Sequence, residues 1–379
     1  MSRWLAWAAM AALLVLIADS LAAALPSPAL MDYGSFVASG RAAAEGLNPY
    51  GIYPLTFHVE LPGFESWNPN LNPPVSLPLF ELFDRTDPHH GFRLWWAFSA
   101  VCYGVTVALL VRRYGAGPHR LLALWALALA GFWDTLVLGQ IYVPLVLATV
   151  GAWLALEDGR PMLAGVLIGV VVAVKPNFLV WPGLLFLAGH VRPAIATGVT
   201  AAALSALPLL RYGPEVYAQW VELIASDANR AVFLTNASLS GLAQRLGSPG
   251  LGTVLSVGLL GALALWAWRR RPTPVQASAF ALLGALLASP IAWVQYTMFL
   301  LPLFFAVRPW TLPMRLAAVL LTVPVPLVLD FLEAPAWQQI TLGSVYGWAV
   351  MLCLLGLVDG RRALSWLRGR GDRRAAAEA

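Results

Sequence analysis

The chain has 379 residues, 59% of them hydrophobic and 11% charged, with a formal net charge of +5. A soluble domain carries about 25% charged residues, so this composition excludes a soluble enzyme and indicates an integral membrane protein. The positive charge suits anionic lipid headgroups and is not read as a nucleic-acid footprint.

The first apolar segment is 4–24, with Asp19 inside it. Ala22-Ala23-Ala24 looks permissive for signal cleavage, but the apolar stretch is long for a signal peptide, so a retained span is expected. Residues 26–90 follow as a long loop. Its parts are a short helix from Tyr33 to Gly46, then Asn48-Pro49-Tyr50, then a turn-rich stretch, Trp67-Asn68-Pro69-Asn70-Leu71-Asn72-Pro73-Pro74. Proline and asparagine at this density predict an ordered irregular loop.

Further apolar segments are 92–111, 121–138, 141–156, 162–174, 177–189 and 194–210. After a second loop, 211–250, which holds an amphipathic stretch from Glu215 to Ile224, come 251–268, 275–288, 294–307, 311–329 and 343–358. A basic tail, 359–379, ends the chain. No soluble domain of ordinary size fits between these segments. The expectation is one domain, 1–379, all-α and polytopic, with about 12 transmembrane or part-spanning helices. Cys102 and Cys353 both fall inside spans and read as small packing residues.

Arginine placement sets the expected orientation. With the N-terminus inside, 17 of the 24 basic residues are cytoplasmic, while the outer side holds 7 basic and 13 acidic residues. The positive-inside rule favours this arrangement. It puts both termini in the cytoplasm of an inner-membrane protein and both long loops outside. Between Arg160 and Arg192 two apolar arms of about 13 residues flank Lys175-Pro176-Asn177. Each arm reaches about 20 Å into a hydrocarbon core of about 30 Å. A charged tip at that depth is tolerated where it lines a polar cavity. An outward cavity is therefore expected, with Lys175, Gln140 and Asp134 near its floor.

Asp32, where the chain leaves the first span, has two readings: a cap for the helix starting near Tyr33, or a general base. Lys175 is the sole lysine; it reads either as a snorkelling side chain or as the counter-ion of a lipid phosphate. Arg211, Arg230 and Arg245 in the second loop are further phosphate-binding candidates, set against solvated loop charges. His58, His89 and His90 show no metal-ligand spacing with carboxylates. No nucleotide fingerprint is present, so neither a cofactor nor a metal is expected.

Six motifs in order carry a family resemblance. Asp32-Tyr33 with Gly40-Arg41 to Asn48-Pro49-Tyr50 comes first, then Asn72-Pro73-Pro74, then Gly139-Gln140. Arg160-Pro161 to Ala164-Gly165 with Lys175-Pro176 is next, then Asn236 with Ser238-Leu239 and Gly241-Leu242, then Ser289-Pro290-Ile291-Ala292-Trp293. Over residues 30–305 the chain resembles glycosyltransferase family 87, of the C-type, polyprenyl-phosphate-sugar-dependent membrane glycosyltransferases. It departs from the family pattern at Ala237, where glutamine is expected, and at Gln295-Tyr296, where a histidine pair is usual.

The resemblance implies transfer of a sugar, mannose first, from a polyprenyl phosphate to a hydroxyl of a lipid or glycan acceptor at the outer membrane face. Inversion is implied, with Asp32 as base and no metal. Lys175, Arg211 and Arg230 are then candidates for the donor phosphate. Tyr33, Asn72, Asp134, Gln140, Asn236, Ser238, Trp293 and Gln295 are candidates for substrate contact. The competing class is a transporter or lipid flippase, which the many spans and the intramembrane lysine favour but the lack of an internal repeat opposes.

Overall fold

The computed structural model describes residues 3–25, 29–115, 119–226 and 228–359. The tail beyond 359 and the first residues of the long loop, 26–28, lie outside them. Helices dominate. In chain order they are α1 (Arg3–Ala24), α2 (Met31–Ala44), α3 (Leu77–Phe83), α4 (Pro88–Tyr114), α5 (His119–Leu127), α6 (Ala130–Leu138), α7 (Tyr142–Glu157) and α8 (Pro161–Val174). There follow α9 (Val180–Leu187), α10 (Val191–Tyr212), α11 (Glu215–Ser226), α12 (Leu239–Arg245), α13 (Pro249–Arg270) and α14 (Pro274–Leu287). Last come α15 (Leu301–Ala306), α16 (Leu312–Leu320), α17 (Val325–Leu329), α18 (Ala336–Thr341) and α19 (Val345–Asp359).

Among the described residues the apolar helices fall into two lengths. Five helices are long and apolar enough to cross a membrane: Ala6–Ala24, Pro88–Tyr114, Leu121–Leu138, Val191–Tyr212 and Pro249–Arg270. Seven shorter apolar helices accompany them. The expected segment 311–329 breaks into α16 and α17, because Pro324 holds Val323 out of helical geometry. Segment 121–138 is interrupted between α5 and α6.

At the centre lies α14, buried at every position from Val275 to Leu287. A helix apolar all round belongs in a core. Thr273 and Gln276 close a capping box at its start, and Pro274 occupies the first turn. Trp181 of α9 donates to Ser278 Oγ at 2.7 Å. Around this core α8 packs along α10, where Thr197 Oγ1 reaches Gly165 O at 3.1 Å.

The long first loop is buried along 32–40 and at 72–74, and it is not all irregular. Phe57–Leu61 (β1) and Phe64–Asn68 (β2) form an antiparallel hairpin, with Leu61 opposite Phe64. Pro62-Gly63 makes the turn between them, a pairing that fits a type II turn. This small hairpin is a local exception within a predominantly helical chain, which agrees with the all-α expectation. The helix α2 is buried at Asp32–Gly40 and at Ala42 and Ala43, and it packs on α3.

Ion pairs segregate by end of the bundle. Arg113 joins Glu157 at 2.9 Å and Asp158 at 3.0 Å, all three assigned to the arginine-rich side. Arg41–Asp84 and Arg211–Glu81 join residues assigned to the loop side. Each pair links two residues that the charge pattern assigns to one side.

Candidate active site

A cavity of about 1130 Å³ opens between the first loop, the tips of the α6–α7 and α8–α9 connections, and the segment 289–296. Asp32, Asn68, Asn72, Asp134, Gln140, Lys175, Arg230, Trp293 and Gln295 are all among the residues lining it.

Asp32 sits in the first turn of α2, and the position before that helix is Leu30, with no side-chain cap. The capping reading of Asp32 is thereby set aside: its carboxylate faces the cavity. Met31 precedes it with φ 50°, a left-handed conformation that costs energy in a non-glycine residue. Two neutral amides hold the carboxylate. Gln140 Nε2 donates to Oδ2 at 2.6 Å and Asn68 Nδ2 donates to Oδ1 at 3.2 Å. Burial pushes the Asp32 carboxyl up to about 6, against the pull of these two hydrogen bonds and of the Arg230 and Lys175 charges.

Gln140 reaches Asp32 because Gly139 ends α6 with φ 68°. A Cβ at Gly139 would lie 2.6 Å from Tyr33 Cβ and 2.8 Å from the Phe92 ring. Glycine is thus required both by conformation and by close approach.

Lys175 follows the last residue of α8. The next residue is Pro176, which disfavours helical geometry at Lys175 and turns its side chain out of the helix (φ −134°, ψ 84°). Its Nζ donates to Asn72 Oδ1 at 2.8 Å and to the Tyr142 hydroxyl at 3.2 Å. It also lies over the rings of Tyr142 and Tyr296, at 4.3 and 5.5 Å from their centroids. Arg230 donates to Asn68 Oδ1 and to the Trp67 carbonyl. Asn68 therefore bridges the guanidinium and the Asp32 carboxylate.

Opposite, Gln295 Nε2 donates to Asp134 Oδ2 at 2.6 Å. The Gln295 Oε1 is buried and has no hydrogen-bond partner. Trp293 lines the cavity with its ring edge-on to Phe233, centroids 6.1 Å apart.

Four expected site residues do not line the cavity. Arg211 is more than half exposed and bound to Glu81, which also accepts from Tyr212 at 2.6 Å; this ion pair ties α10 to α3. Tyr33 is fully buried, its ring packed among Phe80, Phe83 and Phe92. Its position next to Asp32 follows from helix geometry, since consecutive helical residues point in different directions. Asn236 is a buried brace. It accepts from Ala292 N at 2.9 Å and Ser238 N at 3.1 Å, and donates to the carbonyls of Ala231 and Pro290. Ser238 caps α12 by accepting from Gly241 N at 3.1 Å. Both residues fasten the second loop to 290–292 and so fix Trp293 and Gln295. Arg245, also considered for phosphate, is buried and spent on the carbonyls of Val232, Phe233 and Asn236.

Several cavity residues escaped the sequence reading. Asn68 lines the cavity together with the expected Asn72. Asn70 faces the scaffold instead, donating to Ser39 Oγ at 3.1 Å and holding the Asn72 amide. Tyr142 and Tyr296 carried no signal beyond standing beside Gln140 and Gln295. Asp19 of α1 lines the cavity as well. His58, which shows no ligand spacing along the chain, is bracketed by the hairpin between Glu60 and Glu65, at 3.1 and 3.2 Å. These three groups lie within 4.8 Å of one another and could hold a cation.

A family model, glycosyltransferase family 87, matches residues 70–294. The chain belongs to glycosyltransferase family 87. Membership makes it a membrane glycosyltransferase by family. The matched region includes Asn72, Asp134, Gln140, Lys175, Arg230 and Trp293; Asp32 precedes it and Gln295 directly follows it. Among curated proteins, the chain is 26% identical over 253 residues to a polyprenol-phosphate-mannose-dependent α-(1-2)-phosphatidylinositol mannoside mannosyltransferase of Mycolicibacterium smegmatis. That alignment covers 59% of this chain and 57% of the relative. No solved structure matches the chain.

Proposed function

We propose that this family 87 protein transfers a hexose, mannose first, from a polyprenyl-phosphate donor to a hydroxyl of a lipid or glycan acceptor. The reaction takes place at the extracytoplasmic face of the inner membrane, with both termini cytoplasmic. The M. smegmatis relative's dependence on polyprenol-phosphate-mannose supports the donor. The arginine distribution supports the face.

The observation that carries the reading is Asp32: a buried carboxylate on a large cavity, held by neutral amides, with Lys175 and Arg230 on the same cavity. A carboxylate kept near 6 is a stronger base than an exposed one and is still ionised at neutral pH. Asp32 takes the proton of the acceptor hydroxyl. The hydroxyl oxygen bonds to the anomeric carbon from the face opposite the phosphate. The bond between that carbon and the phosphate oxygen breaks, the configuration inverts, and polyprenyl phosphate leaves. Lys175 and Arg230 stabilise the charge growing on the leaving phosphate. Asn72 and Tyr142 hold the ammonium in place. Gln140 and Asn68 hold the base, while Trp293, Asp134 and Gln295 contact substrate.

The test is Asp32→Asn with polyprenyl-phosphate-mannose as the probe. The expected result is intact donor binding with transfer reduced about 10²–10⁴-fold, the usual effect of losing a positioned base. Near-wild-type transfer by Asp32→Asn, with loss of transfer in Asp134→Asn, would move the base to Asp134.

A further inference from the structure

The cavity carries both signs of charge. Lys175 and Arg230 line it, with Asp32 near both. Asp134 lines it too, and its Oδ2 accepts from Gln295 Nε2 at 2.6 Å. The Gln295 NH₂ is turned towards this carboxyl oxygen. That choice leaves Gln295 Oε1 as a second acceptor. It is buried, with the residue 3% exposed, and among the described residues no donor reaches it. Among the described residues the bond from Gln295 is also the only one that Asp134 receives. A buried acceptor without a donor is costly, so this wall favours a ligand that brings hydrogen-bond donors.

A phosphate brings acceptors and negative charge, and this wall of acceptors gives it no donor. A second cation is not needed, because the neutral Gln295 already satisfies one carboxylate oxygen. The chemistry that fits is a ring carrying neighbouring neutral hydroxyls. The next residue in the chain, Tyr296, also lines the cavity, with its ring centroid 5.5 Å from the Lys175 ammonium.

We propose that Asp134 and Gln295 form a polyol subsite that accepts hydrogen bonds from ring hydroxyls of a sugar, while Lys175 and Arg230 take the phosphate end. The inference rests on the glycosyl-transfer reading and adds the direction in which a sugar phosphate lies. The ring can belong to the donor sugar or to a sugar of the acceptor.

The experiment uses the full chain in lipid nanodiscs. Affinities are measured for polyprenyl-phosphate-mannose and for polyprenyl phosphate without sugar, and the KM of a mannoside acceptor is measured in parallel. Variants are Gln295→Met, which keeps the length and removes the amide, and Gln295→Glu, which sets a second carboxylate against Asp134. If the ring is the donor's, the mannose-bearing lipid binds about tenfold more tightly than the bare lipid. That advantage disappears in both variants, while affinity for the bare lipid stays the same. If the ring is the acceptor's, donor affinity is unchanged and the acceptor KM rises about tenfold. Equal changes for sugar-bearing and bare lipid would mean a structural role only and would overturn the proposal. So would no change in either measurement. Loss of transfer in Asp32→Asn is read separately, so failure of the subsite and failure of the glycosyl-transfer reading remain distinct.

Discussion

Burial and hydrogen bonding pull the Asp32 carboxyl in opposite directions, and burial wins. Its level of about 6 gives a worked sign for pH dependence. The ionised form is the base, so kcat/KM for transfer should rise about tenfold per pH unit below 6 and level off above it. A profile flat from pH 5 to 8 would rule Asp32 out as the base. For stability the sign is reversed. A carboxyl raised in the folded state contributes stability below its unfolded value, near 4, and loses that contribution as pH rises through about 6. Keeping Asp32 ionised at neutral pH therefore costs the fold about 3 kcal/mol. The Lys175 ammonium is held differently. One amide oxygen, one hydroxyl and two aromatic faces surround it, and among the described residues no carboxylate is hydrogen-bonded to it.

At the scale of elements, the site is set by how helices end. The end of α6 at Gly139 delivers Gln140, and the end of α8 before Pro176 delivers Lys175. Gly139→Ala tests the first of these. An alanine there adopts a left-handed backbone, at about 1 kcal/mol, and also drives its Cβ to 2.6 Å from Tyr33. Gly159 also has a positive φ, 69°, but nothing lies within 4 Å of where its Cβ would be. Gly159→Ala should therefore show the backbone cost alone and keep transfer activity. Gly139→Ala should lower the melting temperature further and reduce transfer by shifting Gln140 off Asp32. Equal effects of the two substitutions would show that the close approach to Tyr33 does not matter. The hairpin β1–β2 was present in the sequence as Phe57 to Leu61 and Phe64 to Asn68 around Pro62-Gly63. Neighbouring prolines and asparagines hide that alternation.

For the whole molecule, the orientation expected from arginine placement is open to a direct measurement. Cys102 and Cys353 are both buried, so background labelling should be low. Cysteines introduced at Ser66, on β2, and at Ser365, in the tail, should react with impermeant reagents from opposite sides of the membrane, Ser66 from outside. Labelling of both from the same side would refute the orientation. The sequence by itself determined that the chain is a membrane protein, where its apolar segments lie, and which polar residues stand at their ends. Apolar length and charge asymmetry are local properties, and hydropathy reads them directly. Only the tertiary structure decided which polar residues share a cavity. Asp32 meets Gln140 across 108 positions, Lys175 meets Asn72 across 103, and Gln295 meets Asp134 across 161. Helix packing brings these groups together, and no local pattern encodes distances of that kind. For the same reason Tyr33, Asn236, Ser238 and Arg211 looked like site residues in the chain. The direction a side chain takes is fixed by what its helix or loop packs against, which their motifs do not record.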